Sequence, residues 1–260
     1  IGNMTRVATD EKGGQTFEEG DEISVYAWTG DATVAPETRE RVVNNAINKL
    51  TNGSWISNPQ MLWKNNRDKH YFIGVYPISA ISDLSAGEYT FDETKQVESD
   101  LLVAVNKDGL SYNVDEQQPV PLTFTHVMAK LVVNLTYKNQ WGGIPTVEKV
   151  VVGNAAKEAT INYLTKVVTP STTAKEDFSL PEITENSKYV SVIIPQEEVK
   201  QLTIVIGGKN FVYDNGTPFK LESGKITTVN LEVGRDEIKL GDVKITDWEN
   251  GSTFSGEALN

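Results

Sequence analysis

The sequence predicts an all-β protein built as two consecutive β-sandwich domains, residues 1–121 and 122–260, and three observations carry that prediction. Period-two alternation recurs along the chain, as in AKLVVNLTY, where Leu131, Val133, Leu135 and Tyr137 fall on one face and Lys130, Val132, Asn134 and Thr136 on the other. Glycine- and asparagine-containing turns separate these runs. The runs are also too many for a single sandwich, which takes about 100 residues.

Taken in order, the first strong strand phrase is EISVYAW (22–28). PETRERVVNNAINKL (36–50) follows, with Pro36 near its start and Val42, Val43, Ala46, Ile47 and Leu50 at helical spacing; it reads as the one helix candidate, or equally as a loop plus a strand. HYFIGVYP (70–77), LLVAVN (101–106) and LTFTH (122–126) alternate as strands, with Asp108-Gly109 expected to reverse the chain. DEQQPVP, with Pro119 and Pro121, marks the domain boundary near 121, and LTFTH either closes the first domain or opens the second. EKVVVGN (148–154), YVSVIIP (189–195), LTIVI (202–206), NFVYD (210–214), KITTVNLEV (225–233) and DVKITDW (242–248) complete the strands. Gly207-Gly208 fits a two-residue hairpin, and Asp214-Asn215-Gly216 and Ser223-Gly224 mark further reversals, so the second half reads as a meander of hairpins.

At 260 residues with 38% hydrophobic and 8% aromatic content, the chain can fill proper cores. Its net charge of −12 and pI near 4.7 argue against nucleic acid or an anionic membrane surface as a partner, because a phosphate backbone repels such a surface. With no cysteine, neither disulfides, thiolate metal sites nor a Cys nucleophile is available. The longest apolar stretches are too short to span a bilayer as a helix. The opening IGNMTRV leads to the expectation of a trimmed mature form, with any signal peptide and lipid-bearing Cys upstream.

The sequence offers little for catalysis. His70 and His126 each sit alone in a strand phrase, outside any HxH, HExxH or HxxxH pair, so no transition-metal site can be built locally, and His126 reads as a structural histidine. GxSxG, Walker A and GxGxxG patterns are absent. The 36 carboxylates are too abundant for any pair to be informative, and Glu18-Glu19 with Asp21-Glu22 reads as a solvated turn. The expectation is therefore a protein that is not an enzyme and holds neither metal nor cofactor. Trp55 and Trp63, flanking Pro59 in an expected loop, are the candidates for an exposed aromatic contact patch that stacks on a sugar.

An ordered series of phrases resembles the fimbrillin family of Bacteroidales: TFEEGDEISVYAW (16–28), GSW (53–55), Trp63, YFIGVYP (71–77), DLLVAV (100–105), LTFTHVMAKLVVNL (122–135), VIIPQ (192–196), SGKITTVNLEV (223–233) and ITDWENG (245–251). FxxGDxIxVY and FxHxxAKL weigh most. The resemblance implies two tandem transthyretin-like β-sandwiches, export as a lipoprotein to the outer membrane, and a stalk, anchor or tip role in surface fimbriae. It also implies cleavage after an arginine in the first strand, which opens a groove for a strand donated by another fimbrial subunit. The matching position is Arg6, followed by Val7. Physically this is β-augmentation, in which main-chain hydrogen bonds satisfy a sheet edge and alternate side chains fill pockets. The chain ends soon after ITDW in the polar tail ENGSTFSGEALN, without an obvious long donor extension. The alternative reading is a non-polymerising surface lipoprotein that binds a host ligand or glycan.

Overall fold

The computed structural model describes residues 7–9, 15–112, 119–248 and 253–257. Its first strands are β1 (Val7–Thr9), β2 (Gln15–Phe17), β3 (Glu22–Thr29), β4 (Arg41–Thr51), β5 (Ser54–Asn58), β6 (His70–Tyr76), β7 (Gly87–Thr90) and β8 (Leu102–Leu110). Then come β9 (Pro119–Thr123), β10 (Thr125–His126), β11 (Ala129–Tyr137), β12 (Val147–Ala156), β13 (Glu158–Asn162), β14 (Val167–Pro170), β15 (Lys175–Ser179) and β16 (Glu182–Thr184). The last are β17 (Lys188–Ile193), β18 (Gln201–Ile206), β19 (Lys209–Asp214), β20 (Lys225–Val233), β21 (Ile238–Asp247) and β22 (Thr253–Glu257). The fold class is all-β, as the alternation predicts.

In the N-terminal half a six-stranded sheet runs β10-β8-β6-β3-β4-β5. Its central strand β3 is buried on both faces. Ile23, Val25 and Ala27 pack with Val120, Leu122 and Phe124 on one side, while Tyr26 and Trp28 join the larger core on the other. In the C-terminal half β16-β17-β11-β20-β21 faces β15-β12-β18-β19. Leu131, Val133, Val229 and Leu231 from the first sheet share a core with Val150, Val152, Leu202 and Ile204 from the second.

The stretch 36–50 takes the strand alternative. A short 3-10 turn, Thr38–Glu40, leads into the eleven-residue β4. Its buried residues Arg41, Val43, Ala46 and Asn48 are spaced two, three, two, because the register with β3 jumps from Ala27↔Val43 to Val25↔Ala46. That bulge imitates a helical period. Asp108-Gly109 does not reverse the chain either. Both lie inside β8, where Gly109 (φ 68°) accompanies a register shift between the pairs His70↔Leu110 and Phe72↔Asn106. Trp55 belongs to β5 and not to a loop.

Gly207 and Gly208 do form the two-residue hairpin between β18 and β19, with φ of 59° and 72°. The C-terminal half is nevertheless not a simple meander, because β11 pairs in parallel with β20 from Lys130↔Ile226 to Tyr137↔Val233. Parallel neighbours require a crossover, and here the whole opposing sheet is built between them.

The two halves interlock. β7 pairs with β13, β10 extends the N-terminal sheet beside β8, and β22 pairs with β9. Pro119–Pro121 lie in β9, while residues 113–118 fall outside the described stretches.

Candidate functional site

The N-terminal sheet is covered on one face by two short two-stranded units, β1-β2 and β9-β22. β9 alternates strictly, with Val120 and Leu122 buried and Pro119, Pro121 and Thr123 exposed. Prolines at the exposed positions carry no N–H, which suits a strand at the margin of a sheet. β22, from the far end of the sequence, adds to β9 in the antiparallel register Thr253↔Thr123 through Glu257↔Pro119.

Phe17 anchors the β1-β2 hairpin. Its ring stands edge-on to Trp55 at 5.2 Å, to Tyr76 at 5.5 Å and to Phe124 at 5.2 Å. Such edge-to-face contacts add about 0.5–1.5 kcal/mol each to area burial. Sequence reasoning did not single out Phe17, although it opens the FxxGDxIxVY phrase. Trp55 is therefore half-buried in the seat of this hairpin. Trp63 is half-buried as well, edge-on to His70 at 4.9 Å and to Phe72 at 5.8 Å. The two tryptophans serve different ring clusters of the same core. Val7 opens β1 opposite Phe17, and Arg6 lies outside the described residues.

The carboxylates beside the hairpin line a hollow of about 780 Å³ that includes Glu18, Glu19, Asp21, Glu22 and Glu98. Three of these carboxylates, Glu19, Asp21 and Glu22, have partners beside them. The Glu18 N–H donates to Asp21 at 2.7 Å, the Asn52 N–H to Glu19 at 2.7 Å, and Lys49 pairs with Glu22 at 3.1 Å. Among the described residues no group of three or more His, Asp or Glu side chains is arranged to hold a metal.

Each histidine has a structural setting. His126, at the junction of the halves, lies 2.8 Å from the Asp100 carboxylate and stacks on Trp248 with ring centroids 3.7 Å apart and 11° between planes. Lys130 sits over the other ring of that stack, 5.0 Å from the Trp248 centroid. His70 accepts a hydrogen bond from the Lys64 N–H at Nε2 (3.0 Å) and places Nδ1 3.1 Å from the Asp68 carbonyl. Burial holds its pKa below the ordinary value of 6.5.

Layered sheets, short added strands and aromatic anchors define a β-sandwich protein. The chain belongs to the fimbrillin-like family, whose model matches residues 5–248. Family membership makes it a fimbrial, cell-surface type of protein that associates with other fimbrial subunits. Among solved structures it is similar to a candidate cell adhesion protein from Bacteroides ovatus, with TM-score 0.69 and 18% identity over 90% of this chain and 89% of that one. A candidate cell adhesion protein from Bacteroides uniformis gives TM-score 0.68 and 19% identity over 96% and 100% of the two chains. The tip fimbrial protein Mfa3 from Porphyromonas gingivalis gives 0.55 and 11% over 89% and 95%. At these identities the likeness is one of fold. No curated protein matches the chain.

Proposed function

We propose that the chain is a non-catalytic structural or adhesive subunit, of stalk, anchor or tip type, that joins its neighbours by strand addition at the N-terminal half. The observation that supports this most is β22, a C-terminal strand that completes β9 from more than a hundred residues away in sequence. A position that takes a strand from the far end of one chain can take the same kind of strand from another, because main-chain pairing asks only for an extended segment with suitable alternate side chains. In this reading the two sandwich units are 1–121 and 122–260, and the protein reaches the outer membrane as a lipoprotein.

In this reading cleavage after Arg6 makes Val7 the new N-terminus and leaves β1 on the short pairing Val7↔Phe17 to Thr9↔Gln15 seen among the described residues. Once β1 is displaced from β2, the backbone donors and acceptors beside Phe17 call for another strand. Brief treatment with a trypsin-like protease is expected to cut after Arg6 first and to yield oligomers resistant to sodium dodecyl sulfate, while Arg6→Ala stays monomeric. Arg6→Ala protein from the native organism with the wild-type N-terminus and oligomers would sink the processing step.

A further inference from the structure

β21 is an edge strand of the five-stranded C-terminal sheet, and among the described residues no strand pairs on its outer side. Directly paired residues of adjacent strands share a face. Ile238, Leu240, Val243 and Ile245 pair with Val233, Leu231, Val229 and Thr227, all buried, so these four residues of β21 belong to the core side. Leu240, Val243 and Ile245 are nonetheless each 38% exposed. The five-stranded sheet faces a sheet of four that ends at β19, which comes near β21 yet leaves these three side chains partly open to water. An apolar row and an open hydrogen-bonding edge thus meet water together.

The outer face of the same strand carries ordered charge. Asn134, Asn230 and Asp242 lie in register across three strands. The Asn134 amide donates to Asn230 at 2.8 Å, and the Asn230 amide donates to the Asp242 carboxylate at 2.6 Å, so this polar ladder stops at the edge on an acid. Two residues on stands Lys244, exposed and, among the described residues, without an ion-pair partner.

We infer that β21 is a self-complementary interaction edge for a second copy of the chain, paired antiparallel about a two-fold axis through Val243. That axis sets Val243 against its own counterpart and Asp242 against Lys244 twice. Gly241, skipped where the register passes from Asn230↔Asp242 to Leu231↔Leu240, bulges out, and Leu240 then meets Ile245 twice. Apolar residues meet apolar on the core side, and opposite charges meet on the outer side. A slip of the pairing that keeps the faces matched centres the axis on Asp242 or on Lys244, and either places like charges directly opposite, which is destabilising. Charge order therefore selects both a second copy and one register. The isologous contact closes on itself and leaves the N-terminal half free, so it stands apart from strand addition there.

Sedimentation velocity on the full chain tests this. The wild type is expected to dimerise with rising concentration, and Asp242→Lys and Lys244→Asp are each expected to stay monomeric. An equimolar mixture of the two variants should recover the dimer, because one strand then offers two lysines and the other two aspartates. In this cysteine-free chain, Val243→Cys should oxidise to a covalent dimer, since paired antiparallel Cα atoms lie about 4.5–5.5 Å apart, within disulfide range. Ile56→Cys, on the exposed edge strand β5, should not. A wild type that remains monomeric, single variants that dimerise as well as wild type, a mixture that fails to recover the dimer, or equal cross-linking at both cysteines would overturn the assignment. So would a wild-type monomer whose β21 edge captures only a different fimbrial subunit.

Discussion

At His70 both ring nitrogens face backbone groups: Nε2 accepts from Lys64, and Nδ1 donates to the Asp68 carbonyl. Only the neutral ring can do both. Trp63 packs edge-on, and the imidazole is buried, so desolvation is the main cause of its lowered pKa, with the Asp68 contacts opposing it and the Lys64 charge adding to it. The unfolded chain binds the proton more readily. This contribution to stability is therefore complete above the ordinary value of 6.5 and is lost as pH falls from there through the lower folded value. His70→Asn should flatten the pH dependence of urea-unfolding stability over that window relative to wild type, and an unchanged slope would show that His70 carries no such linkage. Gly74 has a different constraint. A Cβ there would lie 2.6 Å from Phe124 Cζ and 3.1 Å from Leu122 Cδ1, so Gly74→Ala should cost about 1–3 kcal/mol through overpacking. Adding Phe124→Leu should recover part of that loss if the contact is its cause, as a double-mutant cycle would report.

At the scale of elements, β4 shows why a sound period can mislead. Asn45 adopts φ 58° at the bulge against β3, a left-handed backbone that asparagine tolerates and a β-branched residue does not. Asn45→Val should lower the urea midpoint by an amount equivalent to about 1–2 kcal/mol with m unchanged, whereas Asn45→Gly should be close to neutral. Equal effects of the two would mean the left-handed position is unimportant. The long regular strands β11 and β20 were legible because one face of each is buried without interruption, at Leu131, Val133 and Leu135 and at Val229, Leu231 and Val233. Short strands such as β7 and β13 were not, since four or five residues scarcely establish a period. Trp55 read as a loop residue for a related reason: Gly53 and Pro59 bracket a strand of only five residues.

For the whole molecule, the β7-β13 pairing and the shared apolar core couple the two halves. Ile161 and Tyr163 from the C-terminal half are buried in the same cluster as Tyr26, Ile73 and Leu84 from the N-terminal half. The wild type is expected to unfold in one calorimetric transition. Thr160→Pro, which removes a donor from β13 between its two partners Glu88 and Thr169, should split that transition in two. A single transition in the variant would place the coupling elsewhere, foremost in the His126–Trp248 stack and its Asp100 partner.

Alternation and turn chemistry were enough to determine an all-β fold, the lack of cysteine leaves no thiolate, and the acidic composition argues against nucleic acid, because these depend on local period, backbone preference and net charge. The ordered phrases from TFEEGDEISVYAW to ITDWENG carried the family. Which strands become neighbours was decided only in three dimensions. The parallel β11-β20 pair, the return of β22 to β9 and the place of β21 at a sheet edge were decided only by the tertiary fold. The period of a strand records which of its faces is buried, but not which strand lies beside it or where a sheet ends, because those follow from how two layers of unequal width close over one core.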